Sequence, residues 1–205
     1  MTGAASHRLG LIFDFDGTLV DTMPIHYEAY RRTFAEAGLE LDPDDFYGNI
    51  GGKAAETIPR FLRGRSCPRS IPELHARKQV IAAELLRTET IPVLATAELL
   101  VAFRGALPIA LASSGSRSGI DIVLDRLGWR ECFDVIVTGQ DAPRGKPAPD
   151  LFLLAAQRLE LEPARCLVFE DTDDGVAAAR AAGMAVFDVR AARAPSSLIT
   201  GTGPR

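Results

Sequence analysis

Asp14 and Asp16 stand one residue apart at the end of an apolar run, in the stretch LIFDFDGTLVDT (Leu11–Thr22). In a β-strand, side chains at i and i+2 share a face, so both carboxylates leave the strand's C-terminal end pointing roughly the same way. Carboxylates converging like this repel unless a cation or a proton lies between them. An ordinary strand end followed by an Asp-Gly turn explains the composition without chemistry. The ends of the later apolar stretches weigh against that reading. Ser113, Ser114 and Gly115 follow the second, Gly145, Lys146 and Pro147 follow the third, and Glu170, Asp171 and Thr172 follow the fourth. Singly these are an N-cap, a loop lysine and an acidic helix start. Together they fall where an open α/β sheet binds its ligands, beyond the carboxyl ends of the strands. The acidic side suits a hard divalent cation, Mg²⁺, which takes oxygen ligands and keeps several waters. Hydroxyls, helix-start amides and an ammonium on the other side suit a phosphoryl group. The combination is that of a phosphoryl-transfer site.

The elements that must position these residues follow from hydrophobic spacing. Short strands are expected at Leu9–Phe13, Leu107–Ala112, Phe133–Thr138, Cys166–Phe169 and Ala185–Val189. Between them lie amphipathic stretches: Ile120, Val123, Leu124 and Leu127 before Gly128, then Leu151, Leu154, Ala155 and Leu159 after Pro149, then Gly175–Ala182 before Gly183. This alternation predicts a doubly wound parallel α/β sheet. The interval Met23–Pro92 breaks it and reads as helical throughout. Ile25–Ala37 carries Tyr30, Phe34 and Ala37 before Gly38, a second helix follows Gly51-Gly52, and Pro72–Thr90 carries Leu74, Ile81 and Leu85. The expected division is a core domain of residues 1–21 and 93–205 with a small helical cap domain of residues 22–92 inserted over the sheet's edge. Trp129 and the phenylalanines read as core, and the Ala-, Pro-, Gly- and Ser-rich tail after Ala191 is expected to fray.

With 205 residues, 47% hydrophobic, the chain can bury one core and a smaller second one. Its 23 basic and 27 acidic residues leave no excess of positive charge for nucleic acid. No apolar run is long enough to span a bilayer, and the N-terminus lacks a signal-peptide core. Cys67, Cys132 and Cys166 form no CxxC pair, which favours a reducing compartment. The expectation is a cytoplasmic, monomeric enzyme acting on a small phosphorylated metabolite, with neither a nucleic-acid nor a membrane partner.

The motifs resemble those of the haloacid dehalogenase superfamily of phosphohydrolases, in the helical-cap branch near β-phosphoglucomutase. DxDGT is Asp14–Thr18, the hydroxyl motif is Ser113 in ALASSGS, the lysine motif is Lys146 in GKPAPD, and the acidic motif is Glu170-Asp171 in VFEDTDDG. KPAPDLFLLAAQRL and FEDTDDGVAAARAAGM look most like bacterial fructose-1-phosphate and sugar phosphatases. The resemblance implies a haloacid dehalogenase-like Rossmannoid core with the cap inserted. It makes Asp14 the nucleophile that forms an aspartyl-phosphate. Asp16 becomes the general acid/base, with a pKa raised by burial and by its charged neighbour. Mg²⁺ is then held by the Asp14 and Asp171 carboxylates and the Asp16 carbonyl, with Glu170 acting through a water. Ser113, Ser114, the neighbouring amides and Lys146 hold the phosphate. From the cap, His26 lies near Asp16, Gly51, Gly52 and Lys53 form a substrate-specificity loop, and Lys78 matches a cap lysine. Thr18 and Asp21 shape the hinge. The implied reaction is Mg²⁺-dependent hydrolysis of a small sugar phosphate such as fructose-1-phosphate. The alternative is a phosphomutase, but mutase relatives place an arginine shortly after the loop glycine, where Ala54 and Ala55 stand here. A silent binding module is the remote third reading, although none of the four motifs is degraded.

Overall fold

The computed structural model of the protein describes residues 9–49 and 54–193. Five parallel strands form one sheet: β1 (Gly10–Phe13), β2 (Ile109–Ala112), β3 (Val135–Val137), β4 (Cys166–Glu170) and β5 (Ala185–Asp188). Their order is β3-β2-β1-β4-β5, so β1 lies at the centre and the winding direction reverses between β1 and β4. Phe13 is in register with Leu111 on one side and with Phe169 on the other. The crevice beyond β1 and β4 is therefore the topological switch point, where such sheets bind ligands.

Helices alternate with the strands after β2: α6 (Arg117–Leu127), α7 (Asp150–Arg158), α8 (Asp173–Ala181) and the short α9 (Arg190–Arg193). Before β2 come α1 (Met23–Ala35), α2 (Pro43–Asn49), α3 (Ala54–Leu62), α4 (Ile71–Thr88) and α5 (Ala97–Phe103). Strands covered on both faces read as continuous apolar runs, and β1 and β2 are buried at every position. Leu11 and Phe13 face Ile81, Leu85, Ile120 and Leu124 of α4 and α6. Ile12 turns the other way, onto Leu151, Phe152 and Ala155 of α7 and Ala178 of α8. The Phe13 and Phe169 rings stack with centroids 4.6 Å apart across the β1–β4 junction.

A third cluster, with Tyr30, Phe34, Phe46, Ile58, Phe61 and Leu74, holds α1 to α4 together. Ile25 and Ala29 of α1, and Ile81 to Leu86 of α4, belong instead to the cluster on the sheet. The two helices thus span both apolar bodies. Ser70 and Glu73 close a capping box at the start of α4. At its other end, Arg126 of α6 donates to the carbonyls of Leu86 and Glu89, at 2.5 and 2.9 Å.

The departures from the sequence reading are local. Helix α5 was not foreseen, because only Ala97 and Leu100 of its seven residues are buried and no stripe shows. Strand β3 starts at Val135, since Phe133 still belongs to the turn after the 3-10 segment Arg130–Cys132. Helix α8 starts at Asp173 because the Thr172 hydroxyl accepts from the Gly175 amide. Phe103 and Phe187 are 38% and 44% exposed, so not every phenylalanine is core, and Trp129 only packs against it. The substrate-loop expectation at Gly51, Gly52 and Lys53 and the fraying expected over residues 194–205 lie outside the described residues. No helix among the described residues is long and apolar enough to cross a membrane.

Candidate active site

Immediately past β1, the Asp14 amide donates to the Phe169 carbonyl at 3.0 Å, which carries the side chain into the β1–β4 crevice. Lys146, from the loop between β3 and α7, reaches the same point. Its Nζ donates to Asp14 Oδ1 at 2.5 Å and to Glu170 Oε1 at 2.6 Å, and all three side chains are buried. Glu170 Oε2 accepts from the Thr172 amide and hydroxyl at 2.7 and 2.9 Å. Glu170 thus holds both the ammonium and the start of α8 through its two oxygens. Burial alone would discharge Lys146, but the charges of Asp14 and Glu170 outweigh it and hold its pKa above the ordinary lysine range. Asp14 goes the other way. Burial, with the nearby charges of Glu170 and Asp171, raises its pKa well above the carboxylate range despite the opposing pull of Lys146.

Asp171 completes this acidic corner. Its Oδ1 accepts from the Thr18 hydroxyl at 3.0 Å. A Cβ added to Gly17 would lie 2.1 Å from Asp171 Oδ2, and Gly17 has φ +90°. Only glycine allows both that backbone and that approach. Gly17→Ala is therefore expected to cost at least about 1–2 kcal/mol in stability, seen as a lowered thermal midpoint, and to displace the Asp171 carboxylate. An unchanged melting curve would contradict this account of the turn.

Asp16 is half-buried and is held from above. Its Oδ1 accepts from the Thr22 hydroxyl and lies 3.4 Å from His26 Nε2. His26 Nδ1 is 3.3 Å from Lys78 Nζ, and that ammonium sits 4.9 Å from the Tyr30 ring centroid. A lysine donating to Nδ1 leaves the imidazole proton on Nε2, facing Asp16. Burial lowers the Lys78 pKa to about 8, partly offset by Asp16. Burial and the Lys78 charge likewise lower that of His26. The Asp16 pKa lies below the usual value, because His26, Thr22 and Lys78 together outweigh burial. This corrects the expected rise, which counted burial and a neighbouring carboxylate but not the donors arriving from α1 and α4.

The phosphate-side residues gather at the start of α6. Ser113 is buried, and its Oγ accepts from the Gly115 amide at 3.0 Å. Ser114 Oγ is buried and, among the described residues, has no hydrogen-bond partner. Ser116 caps α6 by accepting from the Gly119 amide, and its hydroxyl donates to Gln79 Oε1 of α4 at 3.1 Å. Thr22 and Gln79 were not singled out from the sequence. Thr22 reads as a plain N-cap of α1, yet its side chain makes no cap bond. A cavity of about 700 Å³ joins the two walls, lined by Asp14, Lys146, Asp171 and Ser114 below and by His26 and Lys78 above.

Among the described residues no three His, Cys, Asp or Glu side chains converge as a ready metal group. The site nonetheless fits a hard cation. Asp14 lies close enough to feel the charges of both Glu170 and Asp171, and among the described residues the ammonium beside them is that of Lys146, shared by Asp14 and Glu170. An oxygen-only donor set with excess negative charge and room for water suits Mg²⁺.

Residues 10–183 match the family of haloacid dehalogenase-like hydrolases. The fructose-1-phosphate phosphatase YqaB of Escherichia coli is 35% identical over 181 residues, 88% of this chain and 96% of that protein. The crystal structure of CbbY from Rhodobacter sphaeroides in complex with phosphate is 29% identical, with TM-score 0.81 over 87% of this chain and 84% of that one. A mutant of the same protein, in complex with xylulose-(1,5)bisphosphate, is 30% identical with TM-score 0.79 and the same coverage. With the family matched over residues 10–183 and a 35% identical relative covered almost end to end, the chain belongs to the haloacid dehalogenase-like hydrolases.

Proposed function

We propose that this protein is a Mg²⁺-dependent phosphatase that hydrolyses a small sugar phosphate monoester, of the fructose-1-phosphate type, through an aspartyl-phosphate on Asp14. The observation that carries the reading is the buried Asp14–Lys146–Glu170 constellation at the mouth of the β1–β4 crevice, opening on a cavity. It is supported by the fructose-1-phosphate phosphatase activity named for YqaB and by the phosphate and sugar bisphosphate bound to CbbY.

Asp14 Oδ attacks phosphorus and the bond from phosphorus to the sugar oxygen breaks, leaving the phosphoryl group on Asp14. Asp16 gives its proton to the departing oxygen, then as carboxylate takes a proton from the water that cleaves the aspartyl-phosphate. Phosphate leaves and both aspartates return to their starting states. Ser113, Ser114, the amides at the start of α6 and Lys146 neutralise the equatorial phosphoryl oxygens, and Ser113 also accepts from the Gly115 amide. The Asp14 and Asp171 carboxylates and the Asp16 carbonyl would hold Mg²⁺, with Glu170 acting through a water. When bound, the cation neutralises Asp14 and the phosphoryl group against each other. His26 and Lys78 orient Asp16, and residues 22–92 act as the cap that excludes water. Gly51, Gly52 and Lys53 belong to its substrate loop in this reading.

The test is phosphate release from a panel of sugar and nucleoside phosphates. Release from sugar phosphates is expected, lost on chelation and restored by Mg²⁺. No release from any sugar phosphate would overturn the proposal. If β-glucose-1-phosphate with a bisphosphate activator gave glucose-6-phosphate, a mutase would replace it.

A further inference from the structure

We infer that Asp141, in the loop after β3, is a positioning residue that ties the segment receiving the phosphoryl group to the loop delivering Lys146. The inference rests on the phosphatase reading above and adds to it a carboxylate that acts through its neighbours. Both oxygens of Asp141 are occupied. Oδ2 accepts from the Thr138 amide and hydroxyl at 2.8 and 2.7 Å and from Arg117 Nη2 at 2.9 Å. Oδ1 accepts from Arg158 Nη2 at 3.1 Å. Both guanidinium groups also reach the Ile136 carbonyl of β3, at 3.1 and 3.4 Å. Two arginines from two helices, α6 and α7, thus converge on one carboxylate. Burial would raise its pKa, but the Thr138 bonds, Arg158 and Arg117 hold it at about 2. Asp141 is therefore a fixed negative charge at neutral pH and carries no proton for the reaction.

What it holds is the floor of the phosphate side. Arg117 is the first residue of α6, and its amide donates to Gln140 Oε1 at 3.0 Å. The Gly139 amide donates to the Gly115 carbonyl at 3.2 Å, and the Ser113 amide to the Val137 carbonyl at 3.1 Å. A Cβ on Gly139 would lie 2.5 Å from the Ser114 carbonyl oxygen. Residues 137–141 therefore grip residues 113, 114, 115 and 117 in turn. Five residues beyond Asp141 the same loop carries Lys146. Donors stabilise a phosphoryl group most when they are aimed before its charge develops. A displacement of about 1 Å can cost roughly 10²-fold in rate.

A brace that serves folding alone is the plain alternative. The Arg117 and Arg158 side chains are 37% and 41% exposed, and ion pairs so exposed contribute little to stability. Such a brace could lie anywhere on α6, as the pairing of Arg130 with Asp121 and Asp125 does. That of Asp141 lies at the end of α6 whose amides the phosphoryl group meets.

The experiment measures kcat/KM for p-nitrophenyl phosphate and fructose-1-phosphate, and inhibition by inorganic phosphate, well below the melting midpoint. It compares wild type with Asp141→Ala, Asp141→Asn, Gln140→Ala and, as a control on the same helix, Asp121→Ala. Asp141→Ala is expected to lower kcat/KM about 10–100-fold by one factor on both substrates, and to weaken phosphate inhibition. The factor is shared because both substrates present the same phosphoryl group. Asp141→Asn keeps the shape and should lose less. Gln140 is exposed, so Gln140→Ala leaves folding intact and should still shift both readouts the same way by a few-fold. Asp121→Ala should leave both unchanged. A lowered midpoint with kcat/KM and phosphate inhibition unchanged in the Asp141 and Gln140 variants overturns the inference while the phosphatase reading stands. So does a loss confined to one substrate. No phosphate release from either substrate by wild type overturns both.

Discussion

Asp14→Asn is expected to reduce Mg²⁺-dependent phosphate release to below about one percent of wild type, because the amide cannot attack phosphorus and no parallel route avoids the covalent step. The fold should survive the change. Asn has the same shape, its carbonyl can still accept from Lys146, and the ammonium keeps Glu170 at 2.6 Å. Stability can even rise. The folded Asp14 pKa lies well above its ordinary value, so its contribution to folding is fully present only below the unfolded pKa and is lost as pH rises through the folded one. At neutral pH, without a cation, the ionised side chain opposes folding, through burial first and then through Glu170 and Asp171. The expected pair of results is a thermal midpoint no lower than wild type in metal-free buffer and no turnover with metal restored. Turnover above one percent would remove Asp14 as the nucleophile. A collapsed midpoint would mean that its role is mainly structural.

The sequence makes the lower wall of the site legible and the upper wall much less so, for a physical reason. Asp14, Ser113, Lys146 and Glu170 sit next to elements whose type and order follow from local hydrophobic spacing, and parallel strands bring all their ends to one edge. The contacts of the upper wall depend on how α1 and α4 cross, which no local pattern fixes. Lys78 could equally have pointed to solvent. It is buried because α4 turns the face bearing Lys78 and Gln79, one turn from Leu74 and Ala82, down toward the sheet. Thr22 shows the same limit: its type suits an N-cap, and only the fold hands its proton to Asp16 instead. The direction of the Asp16 pKa was missed for that reason, since a charge's partners are tertiary even when the charge is legible.

Asp16→Ala is expected to separate substrates by their leaving groups. A sugar alkoxide cannot depart unprotonated, so turnover of sugar phosphates should fall by about 10²–10⁴-fold, the usual worth of a positioned general acid. p-Nitrophenolate leaves without a proton, so the first step on p-nitrophenyl phosphate should lose much less. The second step loses its base on either substrate, and the phosphorylated protein should accumulate and be visible by mass spectrometry of the intact chain. The hydrogen bonds above Asp16 set the pH behaviour. His26, Thr22 and Lys78 hold its pKa below the usual carboxylate value, so the free enzyme carries it ionised at neutral pH. To act as an acid it must gain a proton as substrate enters. The phosphoryl dianion arriving beside it supplies the cause, because a like charge disfavours the carboxylate. Removing Lys78 and His26 as donors by a Lys78→Met, His26→Phe double substitution should therefore raise the free-enzyme pKa read from kcat/KM. Failure to trap any phosphorylated protein from p-nitrophenyl phosphate in Asp16→Ala, with Asp14 intact, would leave Asp16 without its acid/base role.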